Sequence, residues 1–135
     1  MPESTRPDDP VGVREINAVT LASSDMARSC RFYDALGFSV LHGGPDDAFT
    51  TLRAGTGFLN LQLVPGWQAP PEVWGRVILW VDDVDVVHAR ALDADLRPST
   101  APADAVWGER YFHISDPDGH ELSFARPLAG GPVDG

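Results

Sequence analysis

The sequence predicts a small α+β domain built from two copies of a βαβββ unit, and three observations lead to this fold class. The chain has 135 residues, a length typical of one domain with a core of its own. Segments of alternating apolar residues, typical of half-buried strands, flank two helical patterns that each begin at an aspartate. The same order of elements occurs twice, as an internal duplication would leave it. We therefore expect a single domain over residues 14–127.

The first unit covers residues 15–65. INAVTLA at 16–22 alternates like a strand, and Ser24 and Asp25 offer the N-cap of a helix that runs to Leu36 and ends at Gly37. Because β-branched and aromatic residues then recur between turn signals, three more strands are predicted, at 38–41, 49–54 and 58–64, with AGTG at 54–57 as the last turn.

The second unit covers residues 76–127 and follows a Pro-rich connector at 65–75. RVILWV at 76–81 is a strand, and Asp82 or Asp83 caps a helix whose apolar residues recur at helical spacing. Strands are expected at 110–115 and 121–125, with DPDG at 116–119 as the turn between them.

The two units can be aligned by their helix caps. Asp25 and Asp83 are 58 positions apart, and the same offset pairs Ala18 with Arg76. At the last strands an offset of 61 pairs Leu61 with Leu122 and Gln62 with Ser123.

Composition and charge disfavour some classes of binding partner. The chain has 20 acidic and 10 basic residues, a net charge of -10, which disfavours nucleic acid and anionic membranes as partners. No segment approaches the roughly 18 apolar residues of a membrane span, and the N-terminus lacks the apolar run of a signal peptide, so we expect a cytoplasmic protein. The single cysteine, Cys30, is expected to be a core thiol, and residues 1–13 and 128–135 are expected to be disordered tails.

Three segments resemble the vicinal-oxygen-chelate superfamily of glyoxalase I, bleomycin-resistance proteins and extradiol dioxygenases. They are SDMARSCRFYDALGFSV in the first unit, and VDDVDVVHARAL and WGERYFHISDPDGHELSFARP in the second. The resemblance covers nearly all of residues 16–127. It implies that the two units form a curved mixed sheet around a cavity.

The metal enzymes of this superfamily hold a divalent ion with side chains from four strand positions. Carried over by motif, those positions are Ala18, Gln62, Arg76 and Ser123. Only the glutamine has a suitable donor, and an arginine is permanently cationic, so we expect neither a metal nor another cofactor. The four histidines lack the spacing of a metal motif: His42, His88, His113 and His120.

The same positions mark which strand residues face the cavity, because side chains alternate across a strand. The opposite faces of these strands are uniformly apolar, which supports the assignment. Loop tryptophans are placed at the cavity mouth by the resemblance, although a subunit interface is an equal alternative for Trp67 and Trp74. The expected ligand-binding residues are Phe58, Asn60, Gln62, Trp67, Trp74, Arg76, Ile78, Trp80, Trp107, Tyr111, His113, Glu121 and Ser123.

Two functions fit these expectations. The first is a homodimeric binding protein that sequesters an aromatic or cationic antibiotic or natural product, using aromatic faces to stack on it. The alternative is a metal-independent isomerase, cyclase or lyase with His113 or Glu121 as the acid or base and Arg76 as the oxyanion stabiliser. Arg76 is also expected to form a salt bridge to Glu121.

Overall fold

The computed structural model describes residues 12–129, and it confirms the predicted α+β class and the repeated βαβββ order. The predicted tails at 1–13 and 128–135 lie largely outside these residues. The elements are β1 (Ala18–Ser23), α1 (Met26–Ala35), β2 (Val40–His42), β3 (Phe49–Ala54), β4 (Gly57–Leu63), β5 (Val77–Trp80), α2 (Val84–Asp93), β6 (Ala103–Asp104), β7 (Glu109–Ser115) and β8 (Glu121–Pro127). Neither helix within 12–129 is long and apolar enough to cross a membrane.

Hydrogen bonding divides the strands into two four-stranded sheets, with the orders β1-β4-β3-β2 and β5-β8-β7-β6. Each sheet is mixed, because β1 runs parallel to β4 and β5 runs parallel to β8 while the other pairs are antiparallel. The expected mixed sheet is thus present as two four-stranded sheets, one from each unit.

Both helices begin at the predicted aspartates. The Asp25 carboxylate accepts a hydrogen bond from the Arg28 backbone N–H at 3.1 Å, and Asp83 accepts one from Val86 at 3.1 Å. Such caps satisfy an amide that has no partner inside the helix. The two-residue strand β6 was not anticipated from the sequence, because both of its residues are exposed and show no alternation.

The strand register corrects the alignment of the two units. Thr20 pairs with Asn60, and Ile78, which lies 58 positions after Thr20, pairs with Ser123. Asn60 is therefore the counterpart of Ser123, and the sequence-based pairings of Gln62 with Ser123 and of Leu61 with Leu122 were wrong by two residues. Loop lengths differ between the units, and only strand pairing reveals by how much. A shift of two residues leaves every side chain on its predicted face.

One hydrophobic core joins both helices and the inward faces of both sheets. The alternate residues of β4, β7 and β8 are buried there, as the apolar alternation predicts. Its largest fully buried apolar side chains are Tyr33, Leu52, Leu59, Leu61, Val84, Phe112, Ile114, Leu122 and Phe124. Cys30 is also buried in this core, as predicted, and burial raises the pKa of its thiol.

The DPDG turn, residues 116–119, fastens the second unit to the first. The buried Asp118 carboxylate accepts hydrogen bonds from the Ser24 backbone N–H at 3.0 Å and from the Ser24 hydroxyl at 2.6 Å. Asp116 accepts a 2.6 Å bond from the Tyr33 hydroxyl on α1, although burial raises the pKa of this aspartate. We call these contacts the DPDG clasp, because they are polar bonds across the junction between the two units.

Candidate functional site

Most of the predicted ligand-binding residues lie on the outward face of the second sheet, which we call the second-unit face. Strand pairing arranges them in two rows across β5, β8 and β7. Trp80, Ala125 and Tyr111 form one row. Ile78, Ser123 and His113 form the next. Successive rows on one face are about 7 Å apart along the strands.

The first row is aromatic at both ends and small in the middle, and we call the strip between its two aromatic side chains the groove. Trp80 is 61% exposed, whereas Ala125 between the two aromatic side chains is only 1% exposed. Trp107 extends the row, since its ring stacks on Tyr111 at a centroid distance of 6.0 Å and 24° between planes. Trp80 and Tyr111 stand two strands apart, about 10 Å between backbones, on either side of Ala125.

The second row carries a chain of hydrogen bonds. An Arg76 guanidinium N–H lies 3.3 Å from the Ser123 hydroxyl, and the Ser123 hydroxyl lies 2.6 Å from His113 Nδ1. Arg76 donates to the Ser123 hydroxyl, whereas donor and acceptor in the bond between Ser123 and His113 Nδ1 depend on the tautomer of His113. In the tautomer in which Ser123 donates to Nδ1, His113 Nε2 carries the proton and is a donor.

Partial burial, followed by the nearby charge of Arg76, lowers the pKa of His113, against the opposing effect of Glu121. The neutral form is therefore favoured in the folded protein, and stability falls as the pH drops from the ordinary value of histidine through the lowered one. Arg76→Gln is expected to raise the pKa of His113, because it removes the cation and keeps Glu121. An NMR titration of the His113 ring proton measures this, and an unchanged midpoint would contradict the contact.

The predicted salt bridge between Arg76 and Glu121 is present but long, with 3.8 Å between Nη2 and Oε1. The other carboxylate oxygen of Glu121 accepts a 2.8 Å hydrogen bond from the Ser115 hydroxyl. The bond to Ser115 holds Glu121 at the edge of the face. Among the residues that the structure describes, several of the five N–H donors of Arg76 have no partner within hydrogen-bond distance.

The donor set at the superfamily's metal positions does not fit a divalent cation. A guanidinium and a hydroxyl occupy the two positions of the second unit, and the corrected register places the amide of Asn60, with Ala18, in the first. A permanent cation repels a metal ion, and alanine has no donor. Across residues 12–129, no three His, Cys, Asp or Glu side chains are grouped to hold a metal.

The remaining strand residues lie on the corresponding face of the first sheet. Asn60 is held there by hydrogen bonds with Thr51 at 2.8 Å and with Thr20 at 3.3 Å, and Phe58 and Gln62 lie above and below it. None of the hydrogen bonds, ion pairs or ring contacts described for 12–129 joins this group to the second-unit face. The predicted strand residues therefore form two separate groups, one on each sheet.

The three loop tryptophans have different surroundings. Trp107 joins the aromatic row, and Trp74 is 92% exposed. Trp67 belongs to the DPDG clasp, since its indole N–H donates to the Asp118 carbonyl at 2.9 Å and its ring stacks on His120. We interpret Trp67 as a structural residue, a role that its loop sequence does not reveal.

Two residues of these faces were missed from the sequence. Ala125 has the same strand parity as Ser123, and extending the alternation by one step would have identified it. Phe49 is exposed opposite Gln62 on β3, where only the strand pairing reveals its face. A cleft of about 470 Å³ also opens beside Ile78 and Trp80, between β5, the β3–β4 turn and the end of α1.

Comparisons with solved structures bear on this fold. A glyoxalase/bleomycin resistance protein/dioxygenase from Nocardioides superposes with a TM-score of 0.71 at 21% identity, covering 93% of this chain and 91% of that one. TioX from Micromonospora sp. ML1 gives 0.68 at 27% identity, over 85% and 100%. A bleomycin-binding protein complexed with bleomycin gives 0.65 at 23% identity, over 84% and 98%.

Sequence comparison points the same way. An uncharacterized protein of Mycobacterium bovis is 44% identical over 50 residues, 37% of this chain, and the match spans about a third (33%) of that relative's length. The family model described as the Glyoxalase/Bleomycin resistance protein/Dioxygenase superfamily matches residues 15–124. This range contains the motif segments and the strands, except the last three residues of β8, and the chain therefore belongs to the glyoxalase/bleomycin resistance protein/dioxygenase superfamily.

Proposed function

We propose that this protein binds an aromatic small molecule, such as an antibiotic or natural product, and sequesters it in the cytoplasm without altering it. The observation that carries the proposal is the aromatic row of Trp80, Tyr111 and Trp107 over the small Ala125. Exposed aromatic faces beside a few polar groups are typical of small-molecule sites. The fold that the chain shares with a bleomycin-binding protein supports this ligand class by analogy.

The polar row favours binding over catalysis. A general base needs a lone pair that faces the substrate, and the Nδ1 of His113 is engaged by Ser123. Glu121, the other candidate base, is held by Ser115 and lies near Arg76. His113 Nδ1 and Glu121 are thus engaged within the protein, whereas Arg76 keeps N–H groups that can donate to a ligand.

We further propose that two copies of the chain complete the site. Each chain presents a first-unit and a second-unit half-site on separate sheets, and exposes large apolar side chains on both, including Phe49, Ile78 and Trp80. Exposed apolar surface of this kind marks a binding or subunit interface. A two-fold dimer that covers one face with the other would enclose the groove from both sides.

The test is a tryptophan-fluorescence titration of chelator-treated protein with a panel of aromatic compounds, followed by mass analysis of the recovered ligand. Saturable quenching with a ligand of unchanged mass is the expected result. A ligand of altered mass would instead support the isomerase, cyclase or lyase alternative, with His113 and Glu121 as the residues to mutate next. Light scattering of the same sample measures the dimer, and a monomer at all concentrations would contradict the shared site.

A further inference from the structure

We propose that Arg76, Ser123 and His113 form a binding site for an anionic oxygen group, so that the ligand is a flat aromatic compound bearing a carboxylate. This inference rests on the proposed function, because it assigns the polar end of the same ligand. It replaces the expectation that a cationic compound would fit this protein equally well. We call these three residues the donor patch.

The side chains of the donor patch are held in place by hydrogen bonds to one another. Ser123 is only 3% exposed, and it is fixed between Arg76 at 3.3 Å and His113 at 2.6 Å. The donors left for a ligand are the remaining N–H groups of Arg76 and, in the tautomer in which Ser123 donates to Nδ1, the Nε2–H of His113. A guanidinium offers donors and no acceptor, so Arg76 selects a ligand with oxygen acceptors.

The positive charge of Arg76 favours an anionic oxygen acceptor on the ligand over a neutral one. The guanidinium of Arg76 is permanently cationic and binds a carboxylate with two parallel hydrogen bonds. Its intramolecular partner Glu121 lies at 3.8 Å, outside hydrogen-bond distance, and is already engaged by Ser115. A ligand carboxylate can therefore approach Arg76 more closely than Glu121 does. The net charge of the whole chain acts over longer distances and is screened by salt.

The distance between the rows sets the size of the ligand. The donor patch lies one row, about 7 Å, from the groove between Trp80 and Tyr111. A bicyclic aromatic ring over Ala125 therefore places a carboxylate on its edge next to Arg76. A flat aromatic carboxylate can therefore contact the aromatic row and the donor patch at the same time.

The experiment compares two ligands with the same ring system, 2-naphthoate and 2-naphthylmethylammonium, by isothermal titration calorimetry. We expect the protein to bind the carboxylate at least about tenfold more tightly, since hydrogen bonds to charged groups are the stronger ones. Arg76→Gln is expected to abolish that preference while retaining binding of the ring. Arg76→Lys, which keeps the charge but loses the planar fork, is expected to retain only part of it.

Arg97→Gln is the matched control, because it removes the same charge from an exposed position outside the second-unit face. Thermal melts of each variant establish that it is folded. Equal binding of both ligands by the unmodified protein, or a preference that survives Arg76→Gln, would overturn the donor patch and leave the aromatic groove intact. Failure of both ligands to bind would overturn the groove and the donor patch together.

Discussion

Trp80→Ala is expected to weaken the binding of an aromatic ligand by at least about thirtyfold, the effect typical of a tryptophan hot spot. Trp80 forms one wall of the groove, and Ala125 beside it cannot replace the lost surface. Aromatic pairs stabilise a complex by more than the area that they bury accounts for. Truncation of Trp80 therefore removes both the buried area and the interaction between rings. Calorimetric titration with 2-naphthoate measures the loss directly and avoids a change in intrinsic fluorescence.

Trp74→Ala is the control for this substitution. Trp74 is more exposed than Trp80, at 92% against 61%, and lies in the connector between the units. We expect Trp74→Ala to leave the affinity unchanged within about twofold, in line with the small energetic effects of surface substitutions. Equal losses at both tryptophans would mean that the ligand lies near the connector instead of in the groove.

Asp118→Ala is expected to lower the free energy of unfolding by about 3 kcal/mol, because it leaves buried donors without their charged acceptor. The carboxylate accepts hydrogen bonds from Ser24 on the far side of the junction and from Ser29 on α1, and Arg28 lies 3.4 Å away. The loss therefore falls on the contact between the units. Urea denaturation of the variant and the unmodified protein measures the difference.

Asp34→Ala is the matched control, since Asp34 is an exposed carboxylate on the same helix that the clasp contacts. We expect it to change the free energy of unfolding by less than about 0.5 kcal/mol. A comparable loss at Asp34 would attribute the effect to overall charge. A loss below about 1 kcal/mol at Asp118 would mean that the DPDG clasp does little to hold the units together.

A pair of an aromatic and a histidine side chain occurs both at the DPDG clasp and on the second-unit face. Trp67 and His120 stack on each other beside Asp118, whereas Tyr111 and His113 are neighbours on the second-unit face. The first pair lies where the units meet, and the second lies on the outward surface of one sheet. Position in the fold, and not residue type, separates the structural pair from the proposed binding pair.

Arg76 does not fit the role of a metal ligand at the position where the resemblance implies one. Its guanidinium occupies a position that the superfamily uses for a metal ligand and reaches Ser123 at a second such position. A fixed cation can attract the oxygen atoms of a ligand, as a metal ion does, but it offers no coordination position. The expected consequence is recognition of oxygen groups without metal-dependent turnover.

The sequence by itself determined the order of the elements other than β6, the aspartate caps of both helices and the faces of the residues assigned on β4, β5, β7 and β8. These features depend on local rules: alternation along a strand and hydrogen bonds within one helical turn. Leu59 and Leu61 were assigned to the core on this basis, and both are buried. An error of two residues in the alignment did not disturb the faces, because the period of a strand is two.

Only the tertiary structure decided the features that depend on distant parts of the chain. The pairing of Asn60 with Thr20 follows from loop lengths that the sequence does not reveal. The contact of Trp67 with the DPDG turn joins residues 51 positions apart. The placement of the predicted ligand-binding residues of the two units on different sheets follows from strand pairing. These outcomes are set by the packing of whole elements against one another, whereas alternation and capping are set by neighbouring residues.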